Sequence, residues 1–195
     1  MRQSEPASAP SVFGPHADAI ATLDRWRPEA PGQEPLRQAF LGFLNSRPDS
    51  CARSCAAGHV TASALVFDAR AERVLLTLHP RVGRWLQLGG HCEADDETLT
   101  GAALREAVEE SGIPSLRLEL EPLHLDVHPV TCSLGVPTRH FDVRFLLRAP
   151  VGAQPVRSAE SIDLQWWPLT QLPGAADGTG DLDDMITAAL ARTRY

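Results

Sequence analysis

The chain has 195 residues, 43% hydrophobic and 22% charged, the proportions of a water-soluble globular fold of about one domain with some decoration. Its 25 acidic residues outweigh 18 basic ones, all of them arginine, to give a net charge of −7. That balance argues against nucleic acid or an anionic membrane as a partner, no apolar run reaches the length of a bilayer span, and the polar stretch Met1–Pro10 lacks a secretory core, so the cytoplasm is the expected compartment.

Residues 1–14 read as a loose tail, and residues 15–55 as a helical extension. Ile20, Leu23 and Trp26 recur at helical spacing in His16–Trp26, and Leu36, Phe40 and Phe43 do so in Glu34–Leu44. Two prolines and a glycine in 27–33 predict the turn of a helical hairpin. Residues 56–195 form the main domain. Val60–Phe67 and Arg73–Leu78 are β-rich runs joined by a turn, and Leu99–Ser111 reads as a helix. Leu116–Val127 and His140–Leu147 read as long strands; in the second, Phe141, Val143 and Phe145 alternate with Asp142 and Arg144. Ile162–Trp167 predicts a further strand, and Leu182–Arg192 a closing helix with an acidic start and Arg192 at its end. The order of elements predicts an α/β sandwich with a mixed sheet. Cys51, Cys55, Cys92 and Cys132 are too scattered for a disulfide framework. Cys51, Cys55 and His59 stand four apart but lack an evident fourth ligand, so ordinary thiols are expected rather than a zinc site.

The chemistry concentrates in residues 89–113. On a helix, Glu106, Glu109 and Glu110 share one stripe at offsets of about three and four, where carboxylates repel one another. A hard divalent cation removes that cost. A solvated acidic face is the plainer reading of a charge run. Here, however, Gly112 ends the helix, Leu99, Ala102 and Ala103 give it an apolar side, and Gly89-Gly90 stands before it where bare backbone approaches a metal or phosphate.

These residues resemble the Nudix box, G-x5-E-x7-R-E-U-x-E-E-x-G-U, across 89–113. Glu97 stands eight positions before Arg105, and Arg105-Glu106, Glu109-Glu110, Gly112 and Ile113 match; Ala107 fills an aliphatic slot. The loop from Gly90 to Glu97 is one residue longer than the pattern, and the extra residue is placed among Glu93, Ala94, Asp95 and Asp96. The likeness extends from His59 to about Leu172. The helical start, Gly83–Gln87, Gly-Gly-His and Asp126–Pro129 resemble a group of bacterial Nudix proteins.

The resemblance implies a Nudix α/β/α sandwich that hydrolyses a pyrophosphate bond with Mg²⁺ or Mn²⁺, the substrate being a small nucleotide-type molecule. It implies Glu106, Glu109, Glu110 and the Gly90 carbonyl as metal ligands, Arg105 paired with Glu97 as an orienting unit, and Glu160 as a candidate general base. His59 and His91 are added as metal-ligand candidates, because Nudix-fold isopentenyl diphosphate isomerases place metal-binding histidines there. An isomerase is disfavoured, since Gly89 occupies the position of the nucleophilic cysteine. A nucleotide-sensing module is the alternative of a different class, and a homodimer is a further expectation. Trp85 and Trp166 are assigned to the core, and Arg81, Arg84, Arg139 and Arg144 to the solvated surface.

Overall fold

A computed structural model describes residues 14–131, 135, 137–173 and 180–192; most of the expected tail, and Cys132, lie outside them. The elements run α1 (His16–Arg25), α2 (Gln33–Ser46), β1 (His59–Phe67), β2 (Arg73–Leu78), β3 (Trp85–Leu86), β4 (Leu88–His91), α3 (Leu99–Ser111), β5 (Arg117–Leu118), β6 (His124–Thr131), β7 (Pro137–Arg148), β8 (Asp163–Pro168) and α4 (Gly180–Arg192). They form the expected α/β fold with a mixed sheet.

All nine residues of β1 are buried, which suits a strand at the centre of the sheet. One edge of β1 pairs in parallel with β7 from His59↔His140 to Phe67↔Arg148. Its other edge divides between two antiparallel partners: β4 takes Thr61 to Ala64, and β2 takes Val66 and Phe67. β8 lies beyond β2, while β5 and β6 share the outer edge of β7.

Alternation then sorts the side chains of β1. Val60, Ala62, Ala64 and Val66 join Val143, Phe145 and Leu147 in a core with Leu99, Ala102, Ala103 and Ala107 of α3. The same core takes Ala19 and Leu23 of α1, Trp26, and Phe40 and Leu44 of α2. The N-terminal hairpin is therefore packed into the main core. Leu65 and Phe67, on the opposite face, meet Leu182, Met185, Ile186 and Ala189 of α4. His59, Thr61 and Ser63 share that face but lie beyond the apolar patch, and all three are buried.

Two expectations need correction. The predicted strand Leu116–Val127 divides into β5 and β6. Glu119 and Leu123 still donate backbone hydrogen bonds to Leu146 and Arg144 of β7, so residues 120–122 bulge from the ladder. Pro122 has no N–H for that ladder, and Leu120 is 76% exposed. The second concerns Arg144 on the polar face of β7, where Asp142 and Arg144 are each 2% exposed. Asp142 accepts hydrogen bonds from Thr61 Oγ1 (2.8 Å), Ser63 Oγ (2.7 Å) and Arg144 Nε (2.8 Å), which satisfies the buried charges internally. Arg144, assigned to the solvated surface from sequence, belongs to that buried network and also reaches Asp126 at 3.2 Å.

Candidate active site

Helix α3 is held at both ends. Thr98 Oγ1 accepts from the Gly101 N–H at 2.9 Å, and the N–H of Leu99 donates to Asp18 of α1 at 2.8 Å. Gly112 closes the helix in a left-handed conformation, with φ of 65°. The carboxylate stripe is thus fixed against β4.

The two glycines of β4 allow close packing on two sides, Gly89 against β1 and Gly90 against the carboxylates of α3. A Cβ on Gly89, where φ is 144°, would stand 2.4 Å from Ser63 Oγ, and one on Gly90 would stand 2.7 Å from the Glu106 carboxylate. Glu106 and Glu110 come together here: the Gly89 N–H donates to Glu110 at 3.3 Å, and the Glu106 side chain is 13% exposed. Burial raises the pKa of Glu106 and pushes that of Glu110 up to about 8, with the negative charges of Glu109 and Glu160 adding to both. Glu160 itself is exposed, on the loop leading to β8. Glu109 is also exposed and turns to Arg105 at 3.2 Å.

Arg105 ties the loop to the helix. It donates to both oxygens of Asp96 (3.1 and 2.9 Å), to Glu106 (3.0 Å), to Glu109 (3.2 Å) and to the backbone oxygen of His91 (3.0 Å). The expected Arg105–Glu97 pair is not formed; Glu97 is exposed. Asp96 stands six residues after Gly90, the spacing the box gives its first acid, so the extra residue falls after that acid rather than before it. Burial opposes the charge on Asp96, but the hydrogen bonds from Arg105 and from the Glu93 N–H outweigh it and hold its pKa low.

The histidines gather on the other side of β4. His59, His91 and His140 have ring centroids 4.9 to 5.0 Å apart. Burial first, then their mutual repulsion as cations, holds His91 down to about 3 and His140 to about 4, while burial lowers His59. His128 differs: its Nδ1 lies 2.6 Å from Asp126, and that bond raises its pKa. Cys51 and Cys55 are buried free thiols, and His59 faces His91 and His140 as its metal-capable partners among the described residues.

Trp85 and Trp166 are half-buried and pack on the two apolar clusters, as expected. Sequence reasoning missed Asp96, Asp18 and His140 at this site. Counting from Gly90 instead of back from Arg105 would have found Asp96. Asp18 and His140 are contacts across the fold with no local signature.

The donors at the glycine edge are all oxygens, among them those of the half-buried Glu106 and Glu110 carboxylates, whose ionised forms burial disfavours. That set fits a hard divalent cation.

Residues 57–188 match the sequence profile of the NUDIX domain family. The chain is 37% identical over 93 residues to the m7GpppN-mRNA hydrolase NUDT17 of Bos taurus, covering 43% of this chain but 30% of that protein. Among solved structures, a C. elegans Ap4A hydrolase is similar with a TM-score of 0.53 at 18% identity, over 69% of this chain and 97% of the other. A UDP-X diphosphatase is similar with a TM-score of 0.53 at 16% identity, over 91% of this chain and 93% of the other. Coverage that wide requires part of the N-terminal helices to be included. At these identities the two structures establish the fold alone.

Proposed function

This chain belongs to the Nudix family, and on that premise we propose that it is a divalent-metal-dependent hydrolase cleaving the pyrophosphate bond of a nucleoside diphosphate linked to another moiety. The observation that carries the reading is the convergence of Glu106 and Glu110 on Gly89-Gly90, where a Cβ would collide with Glu106 itself. Burying two carboxylates side by side is unfavourable unless a cation joins them.

Glu106, Glu110, Glu109 and the Gly90 carbonyl would hold Mg²⁺ or Mn²⁺. That ion supplies positive charge for phosphoryl oxygens and promotes loss of a proton from water. Arg105 acts as a positioning residue, since it holds Glu106, Glu109 and the loop carbonyl of His91 at once. Glu160 is the proposed general base, supported by its Coulombic reach to Glu106 and Glu110 and by its exposure, which leaves it open to a proton from water. A homodimer and a cytoplasmic setting accompany the proposal as expectations.

Substituting Glu109→Gln and Glu110→Gln together removes two candidate ligands at nearly constant volume. The double variant is expected to keep the wild-type circular dichroism and to lose turnover; full activity in it overturns the ligand assignment. Glu160→Gln is expected to lower kcat by about 10²–10⁴-fold with folding intact. An unchanged kcat removes Glu160 from the chemistry.

A further inference from the structure

We propose that His59, His91 and His140 form a second metal site, separate from the carboxylates and suited to a borderline divalent ion such as Zn²⁺. The three residues stand on three adjacent strands: His59 is directly opposite His140 between β1 and β7, and His91 of β4 is opposite Thr61, two residues along β1 from His59 and on the same face. Each offers a ring nitrogen, and the three atoms lie within 4.8 Å of one another. Neighbouring residues of a strand point to opposite faces. Gly90 faces the Glu106 carboxylate, so His91, one residue on, faces away from it. Nδ1 of His59 lies 3.5 Å from the Cys55 carbonyl, a long contact that favours the proton on Nδ1 and leaves the unprotonated Nε2 available to a metal.

The same geometry without an ion is costly. Nε2 of His59 and Nε2 of His140 are buried with no hydrogen-bond partner, and His59 is 1% exposed. A structural cluster of histidines would be expected to spend those atoms on neighbouring acceptors or donors. His128 does so: its ring lies 5.4 Å from His140, but its Nδ1 is engaged by Asp126, which leaves it outside the ligand set. Three imidazoles select Zn²⁺, Co²⁺ or Ni²⁺ over Mg²⁺, and three protein ligands leave a fourth tetrahedral position open to water or a substrate group.

The test uses the full chain, stripped with chelator and titrated with Zn²⁺ in excess Mg²⁺. Bound zinc is read by elemental analysis after gel filtration, and Co²⁺ is used in parallel for its visible absorption. One zinc per chain is expected in the wild type and in the Glu109→Gln, Glu110→Gln double variant. His59→Ala and His140→Ala should bind at least ~tenfold more weakly. His140→Gln, which keeps a planar polar side chain, is read if the alanine variant does not fold. Zinc should also raise the Tm of the wild type and leave that of His140→Gln unmoved. No zinc uptake by the wild type, equal uptake by the histidine variants, or uptake lost in the glutamate variant alone overturns the proposal. The last result leaves the carboxylate reading intact, so the two readings fail separately.

Discussion

Asp96 shows how one residue at the site changes an assignment. The box pattern, counted back from Arg105, selects Glu97, whereas the guanidinium selects the carboxylate that reaches it, and both oxygens of Asp96 do. Asp96→Ala is therefore expected to lower kcat by about 10–100-fold, while Glu97→Ala leaves it near wild type. Steady-state kinetics of the two variants decide between them, and the reverse order would restore Glu97. That Glu106, Glu109 and Glu110 lie along one helix ending at Gly112 was legible because helical periodicity and capping are local properties of the chain. The turn between β1 and β2 is held by Asp68. Burial opposes the charge on Asp68, but hydrogen bonds from Arg73 and from the N–H groups of Glu72 and Arg73 prevail and lower its pKa from 3.8. A depressed carboxylate pKa stabilises the fold fully above the unfolded value and loses that contribution as pH falls through the folded one. Asp68→Ala should cost about 1–3 kcal/mol in urea melts at neutral pH, and the gap should close in acid. A gap that persists at acid pH contradicts this account.

At the scale of elements, the N-terminal hairpin contributes more than cover. Asp18 of α1 accepts the Leu99 N–H at the start of the helix that carries the carboxylates, and Gln33 of α2 bonds both the N–H and the carbonyl of Leu125 in β6. Asp18→Ala should lower stability by about 1 kcal/mol, the usual worth of a lost helix cap, with a smaller fall in kcat than Asp96→Ala. Equal stability by denaturant melt would show that Thr98 alone suffices. The helix Leu99–Ser111 and the strand Arg73–Leu78 were read to the residue, because capping and turn chemistry are written locally. The division of Leu116–Val127 was not, since the bulge depends on the register that β7 imposes from outside the segment. The burial of Asp142 and Arg144 escaped the sequence for the same reason. Alternation distinguishes two faces of a strand but does not say which one meets water.

Across the whole molecule, the sheet separates two chemistries. One face and its glycine edge present carboxylates, all oxygen donors suited to a hard ion, while the other carries histidines beside a buried Asp142–Arg144 pair. The central claim is that the carboxylate edge hydrolyses pyrophosphate bonds. Its most direct test is incubation of the protein with nucleoside diphosphates linked to sugars, nucleotides or coenzymes, with Mg²⁺ or Mn²⁺ and with chelator, and products identified by mass spectrometry. The account predicts cleavage between the two phosphorus atoms of at least one substrate, abolished by chelator and by Glu109→Gln with Glu110→Gln. Cleavage that survives chelator or both substitutions, or intact substrates throughout, would contradict it.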